Sequence, residues 1–181
     1  MKIEKIANIK GGQDGAIYGS ELFRFTPSGE CYVYDMRELV GGAEVVSAEP
    51  IAKFKLDRSD EIAPHSNAVS FGCEFFEEGD EYPLLYTNIY NNYANREDKM
   101  IGVCLVYRIR RCENVFTSTL LQMIEIGFCE DAELWRASAE SHGKRPYGNF
   151  LVDSRKRIES ISPTMITFRR FCRLSPSKVR T

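Results

Sequence analysis

The sequence predicts an all-β fold of about two four-stranded antiparallel units and the start of a third. Three observations predict it. The apolar runs are short, rich in Tyr, Phe, Val and Ile, and punctuated by Gly, Pro, Asn and Asp, as strands and turns require. Aromatic residues are abundant, with 11 Phe and 9 Tyr against one Trp. The pattern Cys-x-Val-Tyr occurs twice, in "GECYVYDM" (Gly29–Met36) and in "IGVCLVYRI" (Ile101–Ile109), both times within a β-branched run.

The elements follow in order. "GAIYG" is a short apolar strand, and "ELFRFT" follows after a tight Gly-Ser step. "PSGE" has the Pro and Gly of a hairpin loop, and "CYVYDM" is the returning strand. The looser "RELVGGAEVVSAE" leads to "PIAKFKLD", a fourth strand candidate with apolar positions at Ile51, Ala52, Phe54 and Leu56. The pattern then restarts with Ala68–Phe71, "LLYTNIY", "IGVCLVYRI" and "FTSTLLQMIEIGF". "RPYGNFLVD" looks like a third beginning, and "EDAELWRASAES" is the one stretch with helix-forming character.

Asp14, Asn67 and Asn149 precede the three beginnings, 53 and then 82 residues apart. From each start to its CxVY the distance is 17 and then 37 residues, the extra length falling in two polar insertions around Cys73–Pro83 and Asn91–Lys99. Four strands per unit with insertions confined to loops resembles the blades of a β-propeller over residues 10–153, without a WD or kelch signature. The expected organisation is a β domain over residues 1–153, with units at about 14–66 and 67–148 and a third from 149, and a basic tail over 154–181. The alternatives are a β-sandwich or barrel of short strands, and a mixed α+β fold.

Charge sharpens that boundary. The net charge is −2, which argues against a nucleic-acid or anionic-membrane surface. Yet Ser154–Thr181 carries eight Lys/Arg and one Glu (+7), leaving 16 Lys/Arg and 25 Asp/Glu (−9) in the first 153 residues. Two readings fit the break: a longer propeller whose coding frame ends after Asp153, which would favour self-association, or an ordinary basic extension. The amino terminus has no apolar signal region and no run is long enough to span a bilayer, so a cytoplasmic protein is expected. The six cysteines form no CxxC and no zinc spacing with His, and are expected to be reduced.

The propeller resemblance implies where a site sits. Loops leading into the innermost strands, and loops joining second to third strands, open on one face. Mapped here, these are Gln13 and Asp14, His65 to Asn67, Tyr147 to Asn149, and the loop with Asn91 and Asn92. The expectation is a binding or interaction module holding a small ligand, glycan or peptide through Gln13, Asp14, His65, Asn67, Asn91, Asn92, Tyr147 and Asn149. The alternative is a hydrolase or lyase, with His65 as general base or metal ligand. Asp14, Asn67 and Asn149 could offer oxygens to a divalent cation such as Ca2+, or could satisfy local backbone N–H groups as Asx turns. His142, beside Lys144 and Arg145, reads as a solvated loop, as does the acidic run "CEFFEEGDEYP". Arg24 and Arg108 fall within strands, with Asp35 or Glu125 as expected partners. No phosphate-binding glycine loop and no GxSxG elbow is present.

Overall fold

The computed structural model describes residues 7–10, 12–39, 46–90, 101–125, 150–153 and 157–160. Its elements are almost all strands. A two-residue strand β1 (Ala7–Asn8) precedes β2 (Asp14–Tyr18), β3 (Glu21–Phe25) and β4 (Glu30–Asp35). A single helical turn, α1 (Met36–Leu39), and a short β5 (Val46–Ser47) lead to β6 (Ala52–Lys55). Helical turn α2 (Ser59–Ile62) connects to β7 (Val69–Phe71), β8 (Leu85–Tyr90), β9 (Ile101–Cys112) and β10 (Val115–Glu125). The last strands are β11 (Phe150–Asp153) and β12 (Arg157–Ser160).

Two four-stranded antiparallel sheets result, ordered β2-β3-β4-β6 and β7-β8-β9-β10, and neither closes into a barrel. Every neighbour in a sheet follows in the chain, with only the two-residue β5 passed over, so each pairing is local in the sequence. The β2–β3 turn shows the local cause: Gly19 takes a φ of 58°, a left-handed conformation that glycine adopts without penalty. The β3–β4 loop turns on Gly29, at φ 80°, where a Cβ would come within 2.6 Å of the Ser59 Cβ. β1 pairs in parallel with β5, and β11 pairs antiparallel with β12, so the last hairpin runs across the composition break at Asp153.

The sheets pack face to face. Strand β2 lies against β7, and β6 against β10, so first strand meets first and fourth meets fourth. One apolar core fills the gap, with Phe23, Phe25, Cys31, Val33 and Phe54 from the first sheet and Val69, Leu85, Leu105, Tyr107, Ile109 and Phe116 from the second. Phe23 is its hub, with ring centroids 5.0 Å from Phe71, 5.5 Å from Tyr82 and 5.9 Å from Phe116. Burying each such ring contributes about 2–3 kcal/mol by area alone.

The two CxVY segments occupy corresponding places. Both lie on the third strand of their sheet, and both thiols are buried. Cys31 and Val33 face the second sheet. Cys104 and Val106 face away from the first, into a separate cluster with Leu84 and Tyr86. In chain order, then, each Cys and Val points forward, while the closing Tyr points back. Backbone of the preceding segment meets each phenol: Lys10 N–H donates to the Tyr34 hydroxyl at 2.7 Å, and the Tyr107 hydroxyl donates to the Asp57 carbonyl at 3.2 Å. The alternation of side chains along a strand produces this split from four consecutive residues.

One expectation is corrected. Arg108 does not pair with Asp35, and the Glu125 side chain lies outside the described residues. The Arg108 guanidinium binds Asp80 (Nη2–Oδ1 2.5 Å) and Glu77 (Nη2–Oε2 2.6 Å) and lies 4.8 Å from the centre of the Phe76 ring. Asp35 pairs instead with Arg37, two residues along. The acidic insertion is thus folded back on β9 rather than wholly solvated, because a strand arginine that is covered needs a counter-charge.

Candidate functional site

One end of the two sheets gathers the start of β2, the β3–β4 loop and the start of β7. Gly12 and Gln13 both donate their N–H to the Phe25 carbonyl, which anchors the approach to β2. The β3–β4 loop is closed by Thr26 and Glu30, and the Thr26 and Ser28 hydroxyls lie 2.9 Å apart. The connection from β6 to β7 crosses this end. It carries three non-glycine residues at positive φ: Arg58 at 57°, Ala63 at 47° and His65 at 47°. Such conformations cost about 1 kcal/mol each and persist only where surroundings hold them. Here the holds are visible: Ile62 is buried, Ala63 N–H reaches the Ser59 carbonyl, and His65 N–H reaches the Pro27 carbonyl at 3.1 Å.

Four of the candidate residues meet at this end. Gln13 Nε2 and His65 Nε2 are 2.7 Å apart. The amide and the imidazole are within hydrogen-bond reach, with donor and acceptor set by the imidazole tautomer. Burial lowers the His65 pKa, which favours the neutral ring. Asp14 Oδ2 accepts the Val69 N–H at 2.7 Å, fastening the first strand of one sheet to the first strand of the other. Asn67 Oδ1 accepts from Asn88 Nδ2, while Asn88 Oδ1 accepts the N–H groups of Asn67 and Ala68, both at 3.0 Å. Asn91, Asn92, Tyr147, Asn149 and His142 lie outside the described residues, as does the candidate helix at 130–141.

Asp14 Oδ2 and Asn67 Oδ1, from the residues named for a cation, each accept a protein hydrogen bond. Among the described residues, no group of three or more His, Cys, Asp or Glu side chains is assembled as metal ligands would be. The cluster is instead a set of amides, hydroxyls, an imidazole and the Asp14 carboxylate.

Asn88 was missed in the sequence, and Ser66 was singled out only as part of the loop from His65 to Asn67. Asn88 is a buried side chain in the middle of β8. Its signal was present, since an Asn inside "LLYTNIY" breaks an otherwise apolar strand and must find partners. Ser66, between His65 and Asn67, is fully buried, and its Oγ has no hydrogen-bond partner among the described residues.

Comparison with protein-family models, curated proteins and solved structures finds no match, so this geometry carries the functional argument by itself.

Proposed function

We propose that the two sheets are consecutive propeller-type blades, and that the protein is a binding module whose ligand lies at the Gln13–His65 end. The observation that carries this reading is the Gln13–His65 contact. Residues 52 positions apart are brought together where the two sheets begin, beside the Asp14 bridge to Val69. The blade reading is supported by the first-on-first and fourth-on-fourth stacking and by the corresponding places of Cys31 and Cys104. A rigid scaffold presenting polar groups from several loops at one end is the usual form of a small-ligand site. A small ligand, glycan or peptide is the class of partner that such groups suit.

The test is a ligand screen on the full chain by thermal shift, followed by calorimetry with Gln13→Ala and His65→Ala. Binding that both substitutions weaken about tenfold, the worth of one or two hydrogen bonds, supports the reading. Binding that neither changes overturns it. Turnover of a bound ester or glycoside, abolished by His65→Ala, would replace it with the hydrolase reading.

A further inference from the structure

We infer that this chain associates with copies of itself head to tail, the acidic loop on the second sheet of one copy seating on the outer face of the first sheet of the next. The inference takes its direction from the blade reading and is independent of any ligand at the Gln13–His65 end. The repeat supplies that direction. Cys31 and Val33 point forward from the first sheet onto the second, and Cys104 and Val106 point forward again, away from the first. The same relation, applied once more, sets the forward side of the second sheet against the back of a further first sheet. Propellers close with about four to eight blades, so two blades leave room for further copies.

The two sides are complementary. On the forward side the acidic loop presents Phe75 and Phe76, each 46 % exposed. Beside them Glu74 and Glu78 are exposed and have no ion-pair partner among the described residues, whereas Glu77 and Asp80 are taken by Arg108. On the back of the first sheet, Gly15, Arg24, Tyr32 and Lys53 stand in one row across β2, β3, β4 and β6. Arg24 is half-buried, and its covered Nε has no hydrogen-bond partner among the described residues. No carboxylate among them pairs with it either, while Lys53 and Lys55 are answered by Glu30 and Asp60. The guanidinium lies close over β2, with Nη1 3.5 Å from where a Cβ at Gly15 would stand. Ile17 and Ile51 leave apolar area open on the same sheet.

Charge and apolar area thus coincide on each side, with opposite sign. Two unpaired carboxylates and two Phe rings face one unpaired guanidinium and two Ile side chains. A guanidinium that is partly desolvated gains most from a carboxylate and a ring face together. The chain already makes that combination internally, where Glu77 and Asp80 bind Arg108 and Phe76 covers it. Arg24 is served in the same manner by Glu78 and Phe75 of the next copy. Both halves of the contact belong to this one sequence, which is why the partner is a second copy. Such a heterologous contact builds a ring where the rotation closes and a filament where it does not.

The experiment is analytical ultracentrifugation of the full chain over a concentration series, at about 0.1 M and about 1 M salt, over which the screening length falls from about 10 to 3 Å. The expected result is a mass above the monomer that grows with concentration and falls at high salt. Arg24→Glu and Glu78→Arg should each weaken association about tenfold or more, because like charges then meet across the contact. Mixed in equal amounts, the two variants should associate again, since each finds the opposite charge on the other. Circular dichroism melting checks that both are folded. Ile17→Glu, at an exposed position, replaces Arg24→Glu if that variant does not fold. A chain that stays monomeric, association that neither variant weakens, or a mixture that does not recover overturns the inference. So does weakening by Arg24→Glu alone, the mark of a symmetric contact through the first sheet. Ligand binding at Gln13 is read separately: its loss with association intact overturns the binding reading alone, and its presence in a monomeric chain overturns this inference alone.

Discussion

The two sheets share a strand order and differ in how many faces they bury. The first has one face in the shared core, with Phe23, Phe25, Cys31 and Val33 inward, and a second face that is covered only in part: Tyr34 is buried against Lys10, while Ile17 is 59 % exposed and Lys53 and Lys55 reach solvent. The second is covered on both faces. Leu105, Tyr107 and Ile109 face the shared core, and Cys104, Val106 and Arg108 are buried on the reverse. The sequences reflect this. "ELFRF" alternates, whereas "VCLVYRI" is close to a continuous apolar run, the signature of a strand enclosed on both sides. The residue after CxVY makes the contrast concrete. Asp35 is answered locally by Arg37, whereas Arg108 is answered by Asp80 and Glu77, 28 and 31 residues earlier in the chain. A sheet with a wet face can satisfy its charges with neighbours in sequence. A sheet enclosed on both faces must recruit a loop.

Truncating the shared core against truncating the wet face gives the widest difference. Phe23→Ala should cost about 3–5 kcal/mol in urea unfolding. Ile17→Ala should stay within about 0.5 kcal/mol. An Ile17→Ala cost approaching that of Phe23→Ala would mean that the outer face of the first sheet is covered after all.

The ion pairs come next. Arg108 and Asp80 each have about 8 % of the side chain exposed, although the loop that shields them is a surface layer and not the deep core. Arg108→Met should therefore cost about 2–3 kcal/mol, below the figure for a fully interior pair. Lys53→Met, which breaks the exposed Lys53–Glu30 pair on the first sheet, should leave the melting curve unchanged. The pH dependence sharpens the comparison. Burial pushes the Asp80 carboxyl up, but the Arg108 hydrogen bond and the Glu77 N–H outweigh it and hold the pKa below its ordinary value. The stabilisation from a depressed carboxyl is present above the unfolded value of about 4 and is lost as pH falls through the folded value. The wild type should thus lose stability below about pH 4 more steeply than Arg108→Met, in acid unfolding followed by circular dichroism.

Two aspartates fasten sheet to sheet at backbone N–H groups, Asp14 to Val69 at 2.7 Å and Asp57 to Leu120 at 2.9 Å. Replacing either by Ala should cost about 1–2 kcal/mol, the price of one uncompensated hydrogen bond. Amide exchange should localise the loss to β7 for Asp14→Ala and to β10 for Asp57→Ala. Spreading of either effect over both sheets would show that the pair unfolds as one body. The mildest effect is chemical. Burial pushes the Cys31 thiol up, and that of Cys104 up to about 12, so both should resist a thiol reagent in the native state while exposed Cys112 reacts. Native labelling of Cys104 before Cys112, read by mass spectrometry, would show that its face opens readily.

Strand order was legible because it depends on local chemistry. Gly19 and Gly29 turn the chain, and the runs between them have the period of strands. The third-strand position of both CxVY segments was also legible, since Cys31 and Cys104 do fall on third strands. Of the site, Gln13, Asp14, His65 and Asn67 could be named because each borders a first strand. The acidic loop was misjudged because its counter-charge, Arg108, lies on another element and faces the side of β9 turned away from the shared core. Sequence alone does not say which face of an enclosed strand meets which loop.

Local turn geometry and side-chain period, both carried by neighbours in the chain, determined the two meanders from sequence alone. Only the tertiary structure decided that Gln13 touches His65 and that Asp14 reaches the Val69 N–H. Those facts depend on how two sheets stack, which is set by non-directional apolar packing across the gap rather than by any residue's own neighbours.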